Sequence, residues 1–277
     1  AARDCATAEG NLDLSKNGYA KIFELGINSP EVLFAVEFKS SVIDHAYDAY
    51  VRPSGDTKEL GKQVYSGFVP TSELVDSYEM AGDGGNFSWE KHGKDPYANR
   101  EPRFYATILY NGADWMGRKI ESFVGGKDGY KAYENAGAAG TTVTGYYLRK
   151  YLIDGDKTWV TSGSGQDWIV LRYAEVLLNK AEALAMENWN KNSAEALQAL
   201  NDVRARVGLP ARATADKETF LEYVRHERKV ELAGEGFRYW DLRRWRLAEK
   251  VIDGQNVHGV KISKQSDGSF TYEQVDA

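Results

Sequence analysis

The chain has 277 residues, of which 42% are hydrophobic and 27% charged, and its formal net charge is −6 at pH 7. This balance is typical of a folded protein with a substantial core, and the lack of a basic surplus argues against a nucleic-acid-binding protein. The single cysteine, Cys5, excludes a disulfide framework and a cysteine-based zinc site, and the scattered histidines form no metal motif, so we expect neither a metal ion nor a cofactor.

Residues 1–25 are predicted to form the end of a helical hairpin. The chain starts without Met inside this predicted helix, and no basic and apolar leader precedes Cys5, so we expect a processed or truncated product. The alternation of VLFAVEF at 32–38 then predicts a strand. One face of this strand carries its larger apolar residues, Val32, Phe34, Val36 and Phe38.

Two further strands are predicted at 103–110 and 145–153, where RFYATILY and GYYLRKYLI are rich in aromatic and β-branched residues. Long glycine-rich segments precede and follow the first of them, at 81–100 and 111–144. Loops of this length are uncommon in compact domains and are often functional, so we expect ligand-binding residues there.

The pattern becomes helical from about residue 167. A first helix is predicted at 168–187, and a second opens at Asn192, where Glu195 three residues later completes a capping box. The second helix ends at Gly208, a residue suited to helix ends. Two amphipathic helices joined by a short polar turn predict an αα-hairpin, the unit of tetratricopeptide-type repeats.

The last part of the chain predicts two more helices and a hairpin. The helices are predicted at about 216–233 and 238–250. The tail at 256–275 predicts two strands joined around Asp267-Gly268, a residue pair typical of hairpin turns.

Charged residues continue the apolar stripe of the third predicted helix. Its face reads Leu221, Val224, Arg228, Glu231 and Glu235. Buried ions need partners, and suitable ones lie nearby in sequence or on the first predicted helix: Arg172, Glu175, Arg238, Trp240, Asp241, Arg243 and Trp245. The helical spacing favours a structural salt-bridge lattice, and the alternative is a carboxylate pair for glycosidic acid–base catalysis.

Several segments together resemble the SusD/RagB family. They include WIVLRYAEVLLNKAEALA at 168–185, ALNDVRARVGLP at 199–210 and ERKVELAGEGFRYWDLRRW at 227–245. Earlier segments match in order and spacing, so the resemblance covers essentially the whole chain. Glu101 stands where the family often has Asp.

The resemblance implies a mostly α fold in which tetratricopeptide-like helical hairpins support an irregular, loop-rich subdomain with short β-strands. It divides the chain into a repeat end (1–27), a ligand-binding subdomain (28–166), a helical scaffold (167–250) and terminal strands (251–277). It also implies a lipoprotein at the outer surface of the outer membrane, whose signal peptide and lipid anchor would precede this chain. Such a protein delivers glycans to a SusC-type TonB-dependent transporter and has no catalytic activity.

The resemblance further places the glycan site in the loops of the ligand-binding subdomain at 28–166. Flat aromatic rings bury the C–H face of a sugar and polar side chains meet its hydroxyls, and the chain is rich in Tyr and Trp. The loop residues of this kind are Trp89, Tyr97, Asn111, Asp114, Trp115, Tyr130 and Trp159. We rank Trp115 first and Trp89 second, and the alternative is that these rings pack within their loops.

Three other functions remain open at this stage. A RagB-like protein of the same build would bind peptides. A glycoside hydrolase would use loop carboxylates such as Asp83, Asp95, Asp114 or Asp128, although no spacing fixes a pair among them. A protein–protein scaffold would need none of the loop aromatics.

Overall fold

The computed structural model describes residues 18–129 and 141–277. Helix α1 (Gly18–Leu25) buries Tyr19, Ile22 and Phe23, which share one face at helical spacing. Strand β1 (Val32–Val36) pairs antiparallel with β6 (Trp168–Arg172), so the first described segment lies beside the start of the helical region. The part of the predicted helix that precedes residue 18 lies outside the described residues.

Strand β1 forms where it is predicted, but its larger apolar side chains do not face the core. Ala35 is buried, whereas Phe34 is 56% exposed and Val36 is 44% exposed. The register with β6 shifts on both sides of Phe34. Phe34 and Val36 thus share one face of the strand, as predicted, and that face is exposed, because a register irregularity changes which residues face inward.

Short helices and two-residue strands build the loop-rich region. The helices are α2 (Tyr47–Val51), α3 (Asp56–Leu60), α4 (Ser72–Val75), α5 (Trp89–His92) and α6 (Pro102–Thr107). The strands form two pairs, β2 (Ile108–Leu109) with β5 (Tyr147–Leu148), and β3 (Asp114–Trp115) with β4 (Arg118–Lys119).

The strand predicted at 103–110 is mostly helical. Pro102 occupies the first turn of α6, where its fixed φ and missing amide hydrogen are tolerated. Arg103, Phe104 and Thr107 are buried, a spacing that fits one face of a helix. The strand predicted at 145–153 is limited to β5, so both predictions are wrong over most of their length.

Helix α7 (Tyr173–Ala205) reverses direction at Asn188, whose φ of −161° and ψ of 94° are not helical. The reversal brings Lys180 Nζ within 2.7 Å of Glu195 Oε1, so the predicted αα-hairpin is present. The predicted capping box is wrong, because the second arm is capped by Asn188, whose Oδ1 accepts from the Lys191 amide at 3.2 Å. The first arm starts five residues later than predicted, since 168–172 belong to β6.

Helix α8 (Lys217–Glu231) starts at an N-cap, where Asp216 Oδ2 accepts from the Thr219 amide at 2.7 Å. It packs against both arms of α7 in the main apolar cluster. The predicted fourth helix is divided into α9 (Phe237–Arg244) and α10 (Ala248–Ile252), because Arg246 takes a positive φ of 57°. The predicted terminal hairpin is present as β7 (His258–Lys264) and β8 (Phe270–Asp276).

The predicted fold class is confirmed, because most of the regular secondary structure of the described residues is helical and the strands are short. A second apolar cluster in the loop-rich region consists largely of aromatic rings, among them Tyr78, Tyr97, Phe104 and Tyr146. Among the described residues, no helix combines the length and apolar character needed to cross a membrane.

Candidate ligand-binding site

Charged side chains form a buried network between β6, α6, α7 and α8. The network consists of Arg103, Lys150, Arg172, Arg204 and Arg206 with Glu31, Glu79, Glu101, Glu227, Glu231 and Glu235. We call these residues the ionic lattice. All of their side chains are 3% exposed or less, so none of these carboxylates faces an open cleft.

Glu231 lies at the centre of the ionic lattice. Its Oε1 accepts from Arg172 and Arg206, both at 2.7 Å, and its Oε2 accepts from Arg103 at 2.9 Å. Burial opposes ionisation, but the charges of these arginines outweigh it and hold the pKa of Glu231 well below its usual range.

Most of the ionic lattice was not predicted from the sequence. Glu231 and Glu235 were predicted because they continue an apolar helical stripe, and Arg172 was predicted as a partner on the first predicted helix. Arg204 offered a similar signal, because it follows Ala196 and Leu200 at four-residue steps on the buried face of α7. Glu31 and Arg103 lie outside any long helix and have no local pattern that reveals their burial.

Four residues of the predicted salt-bridge lattice lie in a separate region. Arg228, Asp241 and Trp245 belong to a smaller cluster there, and Glu175 contacts it. Arg228 Nε donates to Asp241 Oδ2 at 2.8 Å, and Trp245 Nε1 donates to Glu182 Oε1 at 2.7 Å. Within the described part of the chain, Glu175 accepts one hydrogen bond, at 3.3 Å from Asn179, whose Oδ1 accepts from Arg228 at 2.6 Å.

Three other residues of the predicted salt-bridge lattice, Arg238, Trp240 and Arg243, belong neither to the ionic lattice nor to the smaller cluster. Trp240 is 65% exposed, and Arg243 is exposed with its guanidinium over the Tyr239 ring. Helix α9 has eight residues and buries only Asp241 and Leu242, so it cannot turn Trp240 and Arg243 inward as well. Their predicted place in a lattice is therefore wrong, and Arg238 is half-buried with no ion pair among the described residues.

The loop aromatics predicted to bind ligand are mostly buried. Trp115 is 0% exposed and its Nε1 donates to Asp56 Oδ2 at 3.0 Å, while Trp159 is 1% exposed. The structure brings these two rings together around Arg52, whose guanidinium carbon lies 5.2 Å from the Trp115 ring centroid and 5.0 Å from that of Trp159. Since neither ring reaches solvent, the prediction that they stack on a sugar is wrong.

The other predicted ligand residues are not assembled into one site. Trp89 is half-buried and its Nε1 donates to Asp76 Oδ2 at 2.8 Å. Tyr97 and Asn111 are each 6% exposed, and Asp114 forms an exposed ion pair with Lys119. Tyr130 lies outside the described residues. Long loops are stabilised by a small core of buried side chains, and most of these residues contribute to such a core.

Exposed aromatic rings lie elsewhere, on α2 and the segment at 64–68. Tyr50, Tyr65 and Phe68 are 44%, 48% and 63% exposed, and we call them the aromatic platform. The Tyr50 and Tyr65 rings stack with centroids 5.2 Å apart and an interplanar angle of 28°. The Phe68 ring centroid lies 6.0 Å from that of Tyr50. Neither tyrosine hydroxyl makes a hydrogen bond within residues 18–129 and 141–277.

Buried groups hold the aromatic platform from behind. Ser66 Oγ donates to the Arg52 carbonyl at 2.9 Å, and Arg52 Nε donates to Asp48 Oδ1 at 2.8 Å. Because Trp115 and Trp159 enclose the same arginine, these two predicted ligand residues support the exposed rings instead of contacting solvent.

A pocket of about 370 Å³ adjoins the aromatic platform, and we call it the apolar pocket. Its lining is almost entirely apolar or aromatic: Val36, Phe38, His45, Ala46, Tyr47, Tyr50, Phe68 and Trp168. The polar atoms of His45 and Tyr47 are already used. His45 Nδ1 accepts from the Tyr47 amide at 3.2 Å, so Nε2 carries the proton and donates to the Gln166 carbonyl at 2.8 Å. The Tyr47 hydroxyl donates to the Lys150 carbonyl at 2.9 Å.

This surface was not predicted, because residues 39–69 contain no clear hydrophobic period. The signal that could have found it is a group of aromatic residues around a tight Ser-Gly turn, with Tyr65 and Phe68 on either side of Ser66-Gly67.

Comparison with known proteins identifies the family of the chain. The model of the SusD family matches residues 30–277. The chain belongs to the SusD family. The resemblance drawn from the sequence motifs is therefore confirmed.

Relatives of this SusD-family chain agree in fold and extend beyond it. A SusD-like protein from Bacteroides fragilis has a TM-score of 0.76 and 27% identity, over 99% of this chain and 55% of its own. A SusD-like carbohydrate binding protein from the same species has a TM-score of 0.70 and 26% identity, over 93% and 53%. The SusD-like protein P38 of Formosa agariphila is 32% identical over 133 residues, which are 44% of this chain and 25% of P38. The chain thus spans about half the length of the two solved structures.

Proposed function

We propose that this chain binds an oligosaccharide on the aromatic platform and delivers it to a SusC-type TonB-dependent transporter at the outer surface of the outer membrane. The observation that carries the proposal is the exposed, stacked pair of Tyr50 and Tyr65. Membership of the SusD family and the similarity to a SusD-like carbohydrate binding protein support it.

The platform has the chemistry that a sugar requires. An aromatic face buries the C–H groups of a pyranose, and the hydroxyls of Tyr50 and Tyr65 can exchange hydrogen bonds with sugar hydroxyls. Tyr65 and Phe68 are fixed to α2 by backbone hydrogen bonds to Ala49 and Tyr50. Rings that are ordered in advance lose little entropy when a ligand binds.

The proposed protein acts by binding and has no catalytic role. Two of the four loop carboxylates that a hydrolase could use pair with cations, whereas Asp83 and Asp95 are exposed. Asp128 is buried and accepts from Arg118 at 2.6 Å and 2.9 Å, and Asp114 pairs with Lys119. A bound glycan that released reducing ends, with the release abolished by Asp114→Asn, would contradict this part of the proposal.

Peptide binding is the second candidate function. The apolar pocket favours it, because a lining of apolar groups and aromatic rings would accept an aliphatic side chain as readily as part of a sugar. In a calorimetric titration, glycan binding predicts saturable heat from a polysaccharide, whereas peptide binding predicts it from peptides.

The test is isothermal titration of a polysaccharide panel and of a peptide digest. We expect a glycan to bind and the double variant Tyr50→Ala/Tyr65→Ala to lose about tenfold or more in affinity, a change of about 1.4 kcal/mol. The matched control is Tyr239→Ala/Trp240→Ala, which removes another exposed aromatic pair, with centroids 5.0 Å apart, and should bind like the unmodified chain. Heat from peptides alone would reject glycan binding.

Delivery is tested separately, by measuring uptake of the bound glycan in cells that carry the transporter. Loss of uptake in the Tyr50→Ala/Tyr65→Ala variant, with normal uptake in the control variant, is the expected result. Unchanged uptake in both would count against a delivery role.

A further inference from the structure

The apolar pocket offers a ligand few polar atoms. Val36, Phe38, Ala46 and Phe68 have no side-chain polar atom, and those of His45 and Tyr47 are bonded to the protein. No Lys, Arg, Asp or Glu side chain is found among the described residues that line the pocket, so these residues offer no group that would pair with a uronate or a sulfate ester.

The pocket and the aromatic platform are continuous, because Tyr50 and Phe68 belong to both. A pyranose that stacks on Tyr50 can therefore direct one ring substituent into the pocket. The remaining polar atoms of the lining, the Tyr50 hydroxyl and the Trp168 indole N–H, make no hydrogen bond among the described residues and are available to the hydroxyls of the ring.

A substituent with a hydroxyl is disfavoured in such a pocket. A hydroxymethyl group would lose its hydrogen bonds to water and find few replacements among these walls. A methyl group would bury apolar surface without that loss. On this chemistry, the pocket would favour a sugar with a methyl group over one that differs from it only by this hydroxyl.

We propose that the apolar pocket selects a 6-deoxyhexose, whose C6 methyl group enters the pocket while its ring stacks on Tyr50. This inference rests on the proposed glycan-binding function, because it names the class of sugar that the same surface takes.

The test compares matched sugars by NMR titration of the full chain. Methyl α-L-fucoside is paired with methyl α-L-galactoside, and methyl α-L-rhamnoside with methyl α-L-mannoside, so that each pair differs only in the C6 hydroxyl. We expect at least one deoxy sugar to bind about tenfold more tightly than its partner.

A pocket variant checks that the preference arises at these walls. Val36→Thr is close in shape and adds a hydroxyl to the lining, and Val36 is 44% exposed, so the fold should tolerate it. We expect the preference for the deoxy sugar to fall by about threefold or more, because the added hydroxyl gives the C6 hydroxyl a hydrogen-bonding partner. A full tenfold change in affinity corresponds to about 1.4 kcal/mol. The control is Val170→Thr on β6, which is 42% exposed and does not line the pocket.

Each outcome has a distinct meaning. A deoxy preference that falls in Val36→Thr and not in Val170→Thr supports the inference. Equal affinity within both pairs, or no binding of any of the four sugars, overturns it, while the polysaccharide titration still decides whether the platform binds glycans. Binding of a leucine-containing peptide in place of every sugar and polysaccharide overturns the inference and the proposed function together.

Discussion

The amide of Gly67 donates a 2.7 Å hydrogen bond to the carbonyl of Tyr50. This bond fixes the turn at 64–68 to the last turn of α2, between the two exposed rings Tyr65 and Phe68. The spacing of the platform is therefore set by the backbone and not by ring contacts alone. The rings are presented to a ligand in a fixed arrangement.

Trp115→Phe should weaken both the fold and ligand binding without touching the ligand. The change removes the indole N–H that Asp56 accepts and reduces the attraction of the ring for Arg52. We expect the free energy of unfolding to fall by about 1–3 kcal/mol, measured by urea denaturation, with a smaller loss of glycan affinity. Unchanged stability would show that the buried Arg52 does not depend on this ring.

Glu231→Gln should destabilise the protein by about 3–5 kcal/mol, because it leaves three buried arginines without their shared carboxylate. Thermal or urea unfolding measures the effect. The matched control is Glu222→Gln on the same helix, whose side chain is 68% exposed and paired with Arg225, and which should change stability by less than about 0.5 kcal/mol. Equal effects of the two changes would contradict a special role for the ionic lattice.

Acid should also destabilise the protein through Glu231. Its pKa in the folded protein is held well below the usual range, whereas the unfolded chain binds a proton near the ordinary pKa of about 4.3. The unfolded state therefore binds more protons as the pH falls, so this stabilisation is present above that pKa and declines below about pH 5. Urea unfolding across this range should show a shallower pH dependence in Glu231→Gln than in the unmodified chain, and identical slopes would refute the assignment.

Asn188→Ala should cost about 1 kcal/mol of stability, because the side chain caps the second arm of α7 at the reversal of the chain. The measurement is again the free energy of unfolding. If a capping box at Asn192 opened this arm, Asn188→Ala would have little effect.

The sequence could predict the elements with a strong local period. The stripe from Leu221 to Glu235 placed Glu231 and Glu235 with the buried residues, and the Asp267-Gly268 pair located the terminal hairpin. Both depend on residues within a few positions of one another.

The sequence could not predict which aromatic residues face solvent. Trp115 and Tyr50 are similar amphipathic residues in short elements, yet one is 0% and the other 44% exposed. Contacts with Arg52 and Asp56, about 60 residues away in sequence from Trp115, decide the difference. The direction of Phe34 depends in the same way on a register shift against β6.

The ionic lattice has a consequence for synthesis of the chain. Arg103 meets Glu227 across 124 residues of sequence, and Arg206 meets Glu31 across 175. A nascent chain that has emerged only as far as α7 holds several arginines destined for the interior whose glutamate partners on α8 do not yet exist. Arg103, Arg172 and Arg204 already have Glu101, Glu31 and Glu79 as partners, but with Lys150 the cations of the lattice still outnumber its carboxylates. Closing the core at that stage would bury this excess positive charge, which is unfavourable. We therefore expect the loop-rich region, including the aromatic platform, to remain open to chaperones and proteases until the helical end of the chain has been made.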